Sequence, residues 1–419
     1  MESSEDRARL QNEKVGRPAA AGPGAPQRTA QRARPYHHTL AGYPDNRHFP
    51  AMRKVLLHSI GVVLLCRIAF AEDWAVIRQQ GHDYVTFSNV AHFYKFPEYT
   101  RVSRTVSLRS ERRGIRAQAG TSELYINGVR FFTDFPILSA GTDELISAMD
   151  VSKIIEPILQ PNRMKNAHKI ETVVLDPGHG GIDPGASNRW GTEKAFALDV
   201  AQHARQQLIR AGYKVEMTRS TDTFIPLEDR VAFASRFRNA VFISIHFNYS
   251  GTAEGLESYA LAPVGVASNA ANEVSIADVR WCSGNAQDEQ NIALAAAVHA
   301  TVLSKMSMFD RGVKHARFHV LRNVRIPGVL IECGFLSNAA EGQRIATAQF
   351  RQQVGAAIAQ GLQHYDAAVN YRAGAGTTLA SARTTLPAHT RSISEPLADY
   401  IPPDSNPPDQ PSISISGGD

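Results

Sequence analysis

Between residues 170 and 366, short apolar runs alternate with helical patterns, and this alternation limits the possible fold more than any other feature. Val173-Val174-Leu175, Tyr213 to Thr218, Val241 to Ile245, Leu256 to Leu261 and Val329-Leu330-Ile331 read as strands. After the first strand, Thr192 stands as a helix N-cap and Gly212 as a C-terminal stop, with Ala197, Ala201, Ala204 and Leu208 on one helical face. Leu227 to Phe237, Asn291 to Lys305 and Phe350 to Tyr365 read as further helices. Strands and helices in this order predict an α/β fold, a twisted, largely parallel sheet flanked by helices.

Residues 72–165 predict a small β-rich module ahead of that domain. Trp74 to Ile77, Tyr84 to Phe87 and Thr105 to Leu108 read as short strands. In Leu124 to Phe131, Asn127-Gly128 between apolar alternations is a hairpin signal. Glu144 to Leu159 reads as more helical. Through its Tyr125-Ile126-Asn127-Gly128 hairpin the segment resembles the copper amine oxidase-like N-terminal domain. His82 and His92 stand alone here and read as ordinary histidines rather than ligands.

The polar residues that follow the apolar strands carry the chemistry. His179 follows the first strand in a glycine-rich loop, His246 follows Val241 to Ile245, and Glu332 follows Val329-Leu330-Ile331. In open α/β sheets, ligands bind beyond the carboxyl ends of the strands, so these side chains converge. Glu193 starts the helix after the His179 loop and can turn toward the same crevice. Two His and one Glu are a recurrent set for catalytic zinc, and a further carboxylate beside the open position serves as general base. The four residues supply both parts, without fixing which carboxylate plays which. Each also has a bland reading: Glu193 complementing the helix dipole, His179 capping a turn, His246 satisfied in the core. A carboxylate directly after a buried strand, as at Glu332, is hardest to explain that way, since it needs a partner or a metal.

Residues 170–366 resemble the zinc-dependent N-acetylmuramoyl-L-alanine amidases of bacterial cell walls, the amidase-3 family. The matching segments run in family order: 174–186 (Val-Leu-Asp-Pro-Gly-His-Gly-Gly-Ile-Asp-Pro-Gly-Ala), 191–194, Thr218-Arg219, 224–230, 242–248, 311–314 and 329–338. The resemblance implies that His179, Glu193 and His246 bind Zn2+ and that Glu332 is the catalytic carboxylate. It implies cleavage of the amide between N-acetylmuramic acid and L-alanine in peptidoglycan. Phe247, where a small residue is more usual, and Cys333, after the catalytic Glu, depart from the pattern without replacing a functional group. Arg219 and Arg230 match family positions and read as structural. Asn248, two residues past a ligand, is a candidate for substrate binding. Cys333 reads as a packing residue. A polar insertion between Leu261 and Asp288 lies where related division amidases carry an inhibitory helix, and here reads as a surface loop. The resemblance also admits an activator protein of the cell envelope.

Two other functions fit parts of this pattern. One is a non-catalytic wall-binding or division scaffold on an amidase fold, which would be expected to have lost a site residue. The other is a zinc peptidase cutting stem peptides, which zinc chemistry alone does not separate from an amidase.

The ends of the chain point to secretion. Met52-Arg53-Lys54, the apolar run Val55 to Leu65 and Ala69-Phe70-Ala71 form a signal peptide over 52–71, implying a periplasmic or cell-envelope protein with no membrane span after cleavage. Residues 1–51 read as a disordered basic extension, and translation from Met52 is an alternative start. Residues 367–419, rich in Pro, Ser and Thr, read as a disordered tail. Three cysteines exclude a disulfide framework. The whole chain of 419 residues has a formal charge of +5, and residues 1–71 alone carry +6, with 11 Lys+Arg against 5 Asp+Glu. The remainder is near −1, so the basic balance belongs to the leader and gives no support to a nucleic-acid partner.

Overall fold

The structure, a computed structural model, describes residues 74–269 and 275–371. The expected N-terminal extension and signal peptide, and the tail from residue 372 on, lie outside the described residues.

The module begins with β1 (Ile77–Gln79) and β2 (His82–Thr86), then a short helix α1 (Phe87–Phe93). Thr86 caps α1 by accepting from the Asn89 amide. An antiparallel meander follows: β3 (Glu98–Val102), β4 (Thr105–Arg109), β5 (Gly114–Gln118), β6 (Glu123–Ile126) and β7 (Val129–Phe132). Asn127 and Gly128 take φ of 53° and 83°, as the expected two-residue hairpin requires. β8 (Leu138–Ala140) and β9 (Asp143–Ser147) complete a separate four-stranded sheet with β1 and β2. Here the structure differs from the sequence reading. Residues 143–147 are a buried strand, and the helical run starts only at Ala148, where Ser147 caps α2 (Ala148–Asp150). A π turn (Val151–Ile155) leads into α3 (Glu156–Leu159).

The second half is built on β10 (Thr172–Pro177), β13 (Lys214–Met217), β14 (Ala240–Asn248), β15 (Leu256–Leu261), β16 (Asp310–Ala316) and β17 (Gly328–Phe335). A small hairpin, β11 (Ser187–Asn188) and β12 (Gly191–Thr192), interrupts after β10. β13, β10, β14 and β17 are parallel neighbours, as expected, whereas β15 joins β17 antiparallel. β16 pairs with β15, and Val313 of β16 pairs with Phe131 of β7. That pairing fuses the module's meander to the second half as one eleven-stranded sheet.

One face is covered by α4 (Glu193–Arg210), α6 (Asp288–Met306) and α9 (Ala348–Asn370). α4 stops where Gly212 adopts φ of 92°, a conformation costly for other residues. Val241, Ile243 and Ile245 of β14 are fully buried under these helices, each worth about 1.5–3 kcal/mol of burial. α9 runs to Asn370, past the expected start of the tail, and Val369 packs into the core. The other face carries α5 (Leu227–Ala234) and α7 (His319–Asn323) over Val174, Phe242 and Leu330. A short α8 (Ala339–Ile345) lies between β17 and α9. The carboxyl ends of β10, β14 and β17 therefore carry the polar residues. Among the described residues, no helix is long and apolar enough to cross a membrane.

Candidate metal centre and catalytic carboxylate

The loop after β10 is held by a buried polar core. Asp176 accepts from Thr218 Oγ1 at 2.6 Å, Ser244 Oγ at 2.8 Å and Arg230 Nη1 at 2.7 Å. Burial alone would raise its pKa, but the Arg230 charge and these donors hold it below the usual carboxylate range. Arg230 also donates to Pro177 O at 2.7 Å and His179 O at 2.6 Å. Arg219 donates to Pro177 O, to Gly178 O and to Lys194 O, at 3.0, 2.6 and 2.8 Å. The two guanidinium groups thus satisfy the carbonyls of Pro177, Gly178 and His179 where the chain leaves β10, and tie them to the start of α4 through Lys194 O. They fix His179 at φ of 59°, a left-handed conformation unusual for a side chain of its size.

His179, Glu193 and His246 meet at this loop. Each offers one ligand atom, and these atoms lie within 4.8 Å of one another. His179 Nε2 is 3.0 Å, and His246 Nδ1 2.9 Å, from the same oxygen, Glu193 Oε1. Glu193 is the first residue of α4 and is buried, with Oε2 accepting from the Ala186 amide at 2.7 Å. His179 Nδ1 lies 2.7 Å from Asp183 Oδ2, which orients the ring and leaves Nε2 toward the centre. Burial pulls the His179 pKa down, but Glu193 and Asp183 outweigh it and raise it to about 10. Burial likewise works against the charged Glu193, yet the two imidazoles hold it well below the usual range. Two imidazoles and a carboxylate at this separation fit the three-ligand set of a catalytic zinc site. The glycines make room. A Cβ at Gly178 would stand 2.3 Å from the His246 ring, and one at Gly185 2.6 Å from Glu193 Oε2.

Glu332 lies in β17, directly opposite His246 in β14 and opposite Glu257 in β15. Residues paired this way share one face of the sheet. The sequence reading placed His246 and Glu332 after their strands; both lie inside strands that run two or three residues further. Glu257 accepts from Lys314 Nζ at 2.6 Å, Arg311 Nε at 2.8 Å, Tyr259 Oη at 2.8 Å and Asn248 Nδ2 at 3.1 Å. Burial would raise its pKa, but Lys314 and Arg311 lower it. The Asn248 amide is thus tied to Glu257 beside the site. Sequence reasoning passed over Glu257 and Asp183. The signal for Glu257 was a carboxylate inside the apolar strand Leu256 to Leu261.

Cys333 is fully buried, and burial pushes its thiol well above the usual range, so it packs and does not react. In the insertion, residues 270–274 lie outside the described residues. The rest is anchored by Arg317, whose Nε is 2.9 Å from Asp278 Oδ1 and whose Nη2 reaches Pro263 O at 2.7 Å. It has no α-helix among its described residues before Asp288, and Ile276, Val279 and Trp281 are exposed.

A His/Glu/His cluster at the strand ends of an α/β sheet, with a carboxylate in register beside it, fits the ligand set of a metal-dependent hydrolase. The sequence model of the N-acetylmuramoyl-L-alanine amidase family, Amidase_3, matches residues 173–364. Over 250 residues the chain is 32% identical to N-acetylmuramoyl-L-alanine amidase AmiA of Escherichia coli K12, covering 54% of this chain and 86% of that protein. It is 36% identical over 230 residues to amidase AmiC of Neisseria meningitidis serogroup B, covering 49% of this chain and 55% of that one. The chain thus spans about half the length of that second relative. The crystal structure of an N-acetylmuramoyl-L-alanine amidase from Clostridium difficile 630 aligns at 31% identity and a TM-score of 0.39, over 47% of this chain and 97% of that one. The chain belongs to the Amidase_3 family of N-acetylmuramoyl-L-alanine amidases. The family match begins at residue 173, so the likeness of 72–165 to a copper amine oxidase-like domain stays a sequence-based expectation.

Proposed function

We propose that this protein is a zinc-dependent amidase that cleaves the bond between N-acetylmuramic acid and L-alanine in peptidoglycan. The observation that carries the reading is the meeting of three ligand atoms within 4.8 Å, with Glu332 opposite His246 on the next strand. His179, Glu193 and His246 would hold the ion, with Asp183 fixing the His179 ring. Zinc bound there would polarise the amide carbonyl and lower the pKa of water to about 7.

Glu332 moves the proton. Its carboxylate accepts it from the attacking water and returns it to the L-alanine nitrogen as the C–N bond breaks. Water supplies the hydroxyl that becomes the lactyl carboxylate, and the peptide leaves with a free amine. Asn248, held by Glu257, would contact the substrate from the same side as Glu332.

The expected signal peptide at 52–71 would deliver the protein to the periplasm or envelope, where this substrate lies. An activator protein of the envelope is the partner for which the exposed Ile276, Val279 and Trp281 offer a surface.

Mass spectrometry of digested sacculi tests the assignment. Stem peptides with a free L-alanine amine are expected. Shortened stems would point to a peptidase, and no product to a scaffold.

A further inference from the structure

The module's outer face is a continuation of the face that carries Glu332. Ser258 of β15, Val313 of β16 and Phe131 of β7 are register partners, and all three are buried under the helices. The residues that alternate with them point to the opposite face. There the row His246, Glu332, Glu257 continues across β16 to Arg130, and then through Tyr125 and Arg116, which pair with one another in sequence. Counted strand by strand along the sheet, a spacing of about 4.8 Å makes the path from Glu332 about 14 Å to Arg130, about 19 Å to Tyr125 and about 24 Å to Arg116.

The charges along this row change in character. Near the site, Lys314 and Arg311 share one carboxylate oxygen of Glu257. Arg130 pairs with Glu123 and stacks 4.8 Å over the Phe132 ring. Arg116 is exposed, stacks 4.5 Å over the Tyr125 ring, and forms no ion pair among the described residues. A stacked guanidinium keeps its donors in a fixed plane, suited to a carboxylate. The muramoyl-peptide substrate has two parts, and only the peptide necessarily ends in a carboxylate. An extended chain advances about 3.3–3.6 Å per residue, so about seven residues separate a scissile amide at Glu332 from Arg116.

Resting on the amidase reading above, we propose that this row is an extended subsite for the peptide part of the substrate. Arg116 pairs with a carboxylate carried about seven residues from the scissile amide, which favours long or branched peptides over short ones. The pairing of β7 with β16 is what makes the module's outer face continuous with the sheet that carries the site.

The test uses the full chain and muramoyl peptides of two and seven residues, each ending in a carboxylate or a carboxamide. For the wild type, KM for the seven-residue acid should be about fivefold below that of its amide, the scale of an exposed ion pair. Arg116→Ala should erase that difference by raising KM, with kcat unchanged, and should leave the two-residue substrates alone. Arg116→Lys should retain part of it. Equal KM values for acid and amide in the wild type would overturn the proposal. So would an Arg116→Ala effect that is the same at both peptide lengths, or one that follows glycan length at fixed peptide. Should the wild type release no L-alanine amine, the amidase reading fails by itself. Fluorescence anisotropy of the labelled seven-residue acid then decides: weaker binding to Arg116→Ala supports the row, and equal binding contradicts it.

Discussion

Arg230 and Asp176 form a buried ion pair, 2.7 Å apart, directly beneath the loop that presents His179. Both side chains are almost wholly excluded from solvent, at 3% and 1% exposure. Removing one partner leaves the other charge uncompensated, which costs about 3–5 kcal/mol. Arg230→Ala should therefore lower unfolding stability by about that amount in urea titrations. It also releases the carbonyl of His179, so zinc affinity should fall along with stability. Arg230→Ala with Asp176→Asn should recover part of the stability, because the orphan charge is gone.

His246→Ala removes a proposed ligand from a centre whose three atoms lie within 4.8 Å. Metal analysis of the purified variant should show zinc far below one per chain, with circular dichroism unchanged. Gly185→Ala should have a similar consequence by another route. Its Cβ would press on Glu193 Oε2 and on the His179 ring, in a backbone conformation with φ of 65°. A Gly185→Ala protein with wild-type zinc content would contradict this account of the loop.

A second buried cluster makes stability depend on pH. His315 of β16 lies 2.6 Å from Asp134 of the module, and Asp150 accepts from the Asp134 amide at 2.6 Å. Burial alone would lower the His315 pKa, but Asp134 outweighs it and raises it above 6.5, with Asp150 and Asp288 adding to the effect. Asp150 is pushed up to about 8 by burial, with the Asp134 charge reinforcing it. Lys153 faces the same cluster through Asp288, at 3.6 Å. Both raised groups bind protons more tightly in the folded chain than in the unfolded one, so stability falls as pH rises. For Asp150 the loss runs from its ordinary value of 3.8 up through about 8. For His315 it begins at 6.5 and continues through its raised folded value. Asp150→Asn, which mimics the neutral acid, should flatten the slope of melting temperature against pH between about 4 and 8. An unchanged slope would show that Asp150 does not carry it.

The sheet and three of the polar residues, His179, His246 and Glu332, were legible in the sequence for a physical reason. β10, β14 and β17 are buried on both faces, so they read as continuous apolar runs, and a His or Glu directly beyond such a run stands out. What escaped notice depends on distant partners. Asp143–Ser147 is a strand only because β2 and β8 pair with it on either side, and its sequence carries no alternation of its own. β16, with Asp310, Arg311, Gly312, Lys314 and His315, has too few apolar residues to signal a strand. Its pairing with β7 joins residues about 180 positions apart, and no local pattern encodes that. Glu257 was hidden because its partners come from two distant strands, Arg311 and Lys314 from β16 and Asn248 from β14.

The central claim is that Glu332 moves the proton beside a zinc held by His179, Glu193 and His246. Glu332→Gln tests it most directly, with zinc content and product amine measured on the same preparation. The account predicts about one zinc per chain, as in the wild type, and a loss of about 100- to 10,000-fold in release of free L-alanine amine from sacculi. Wild-type release by the Glu332→Gln protein would contradict it.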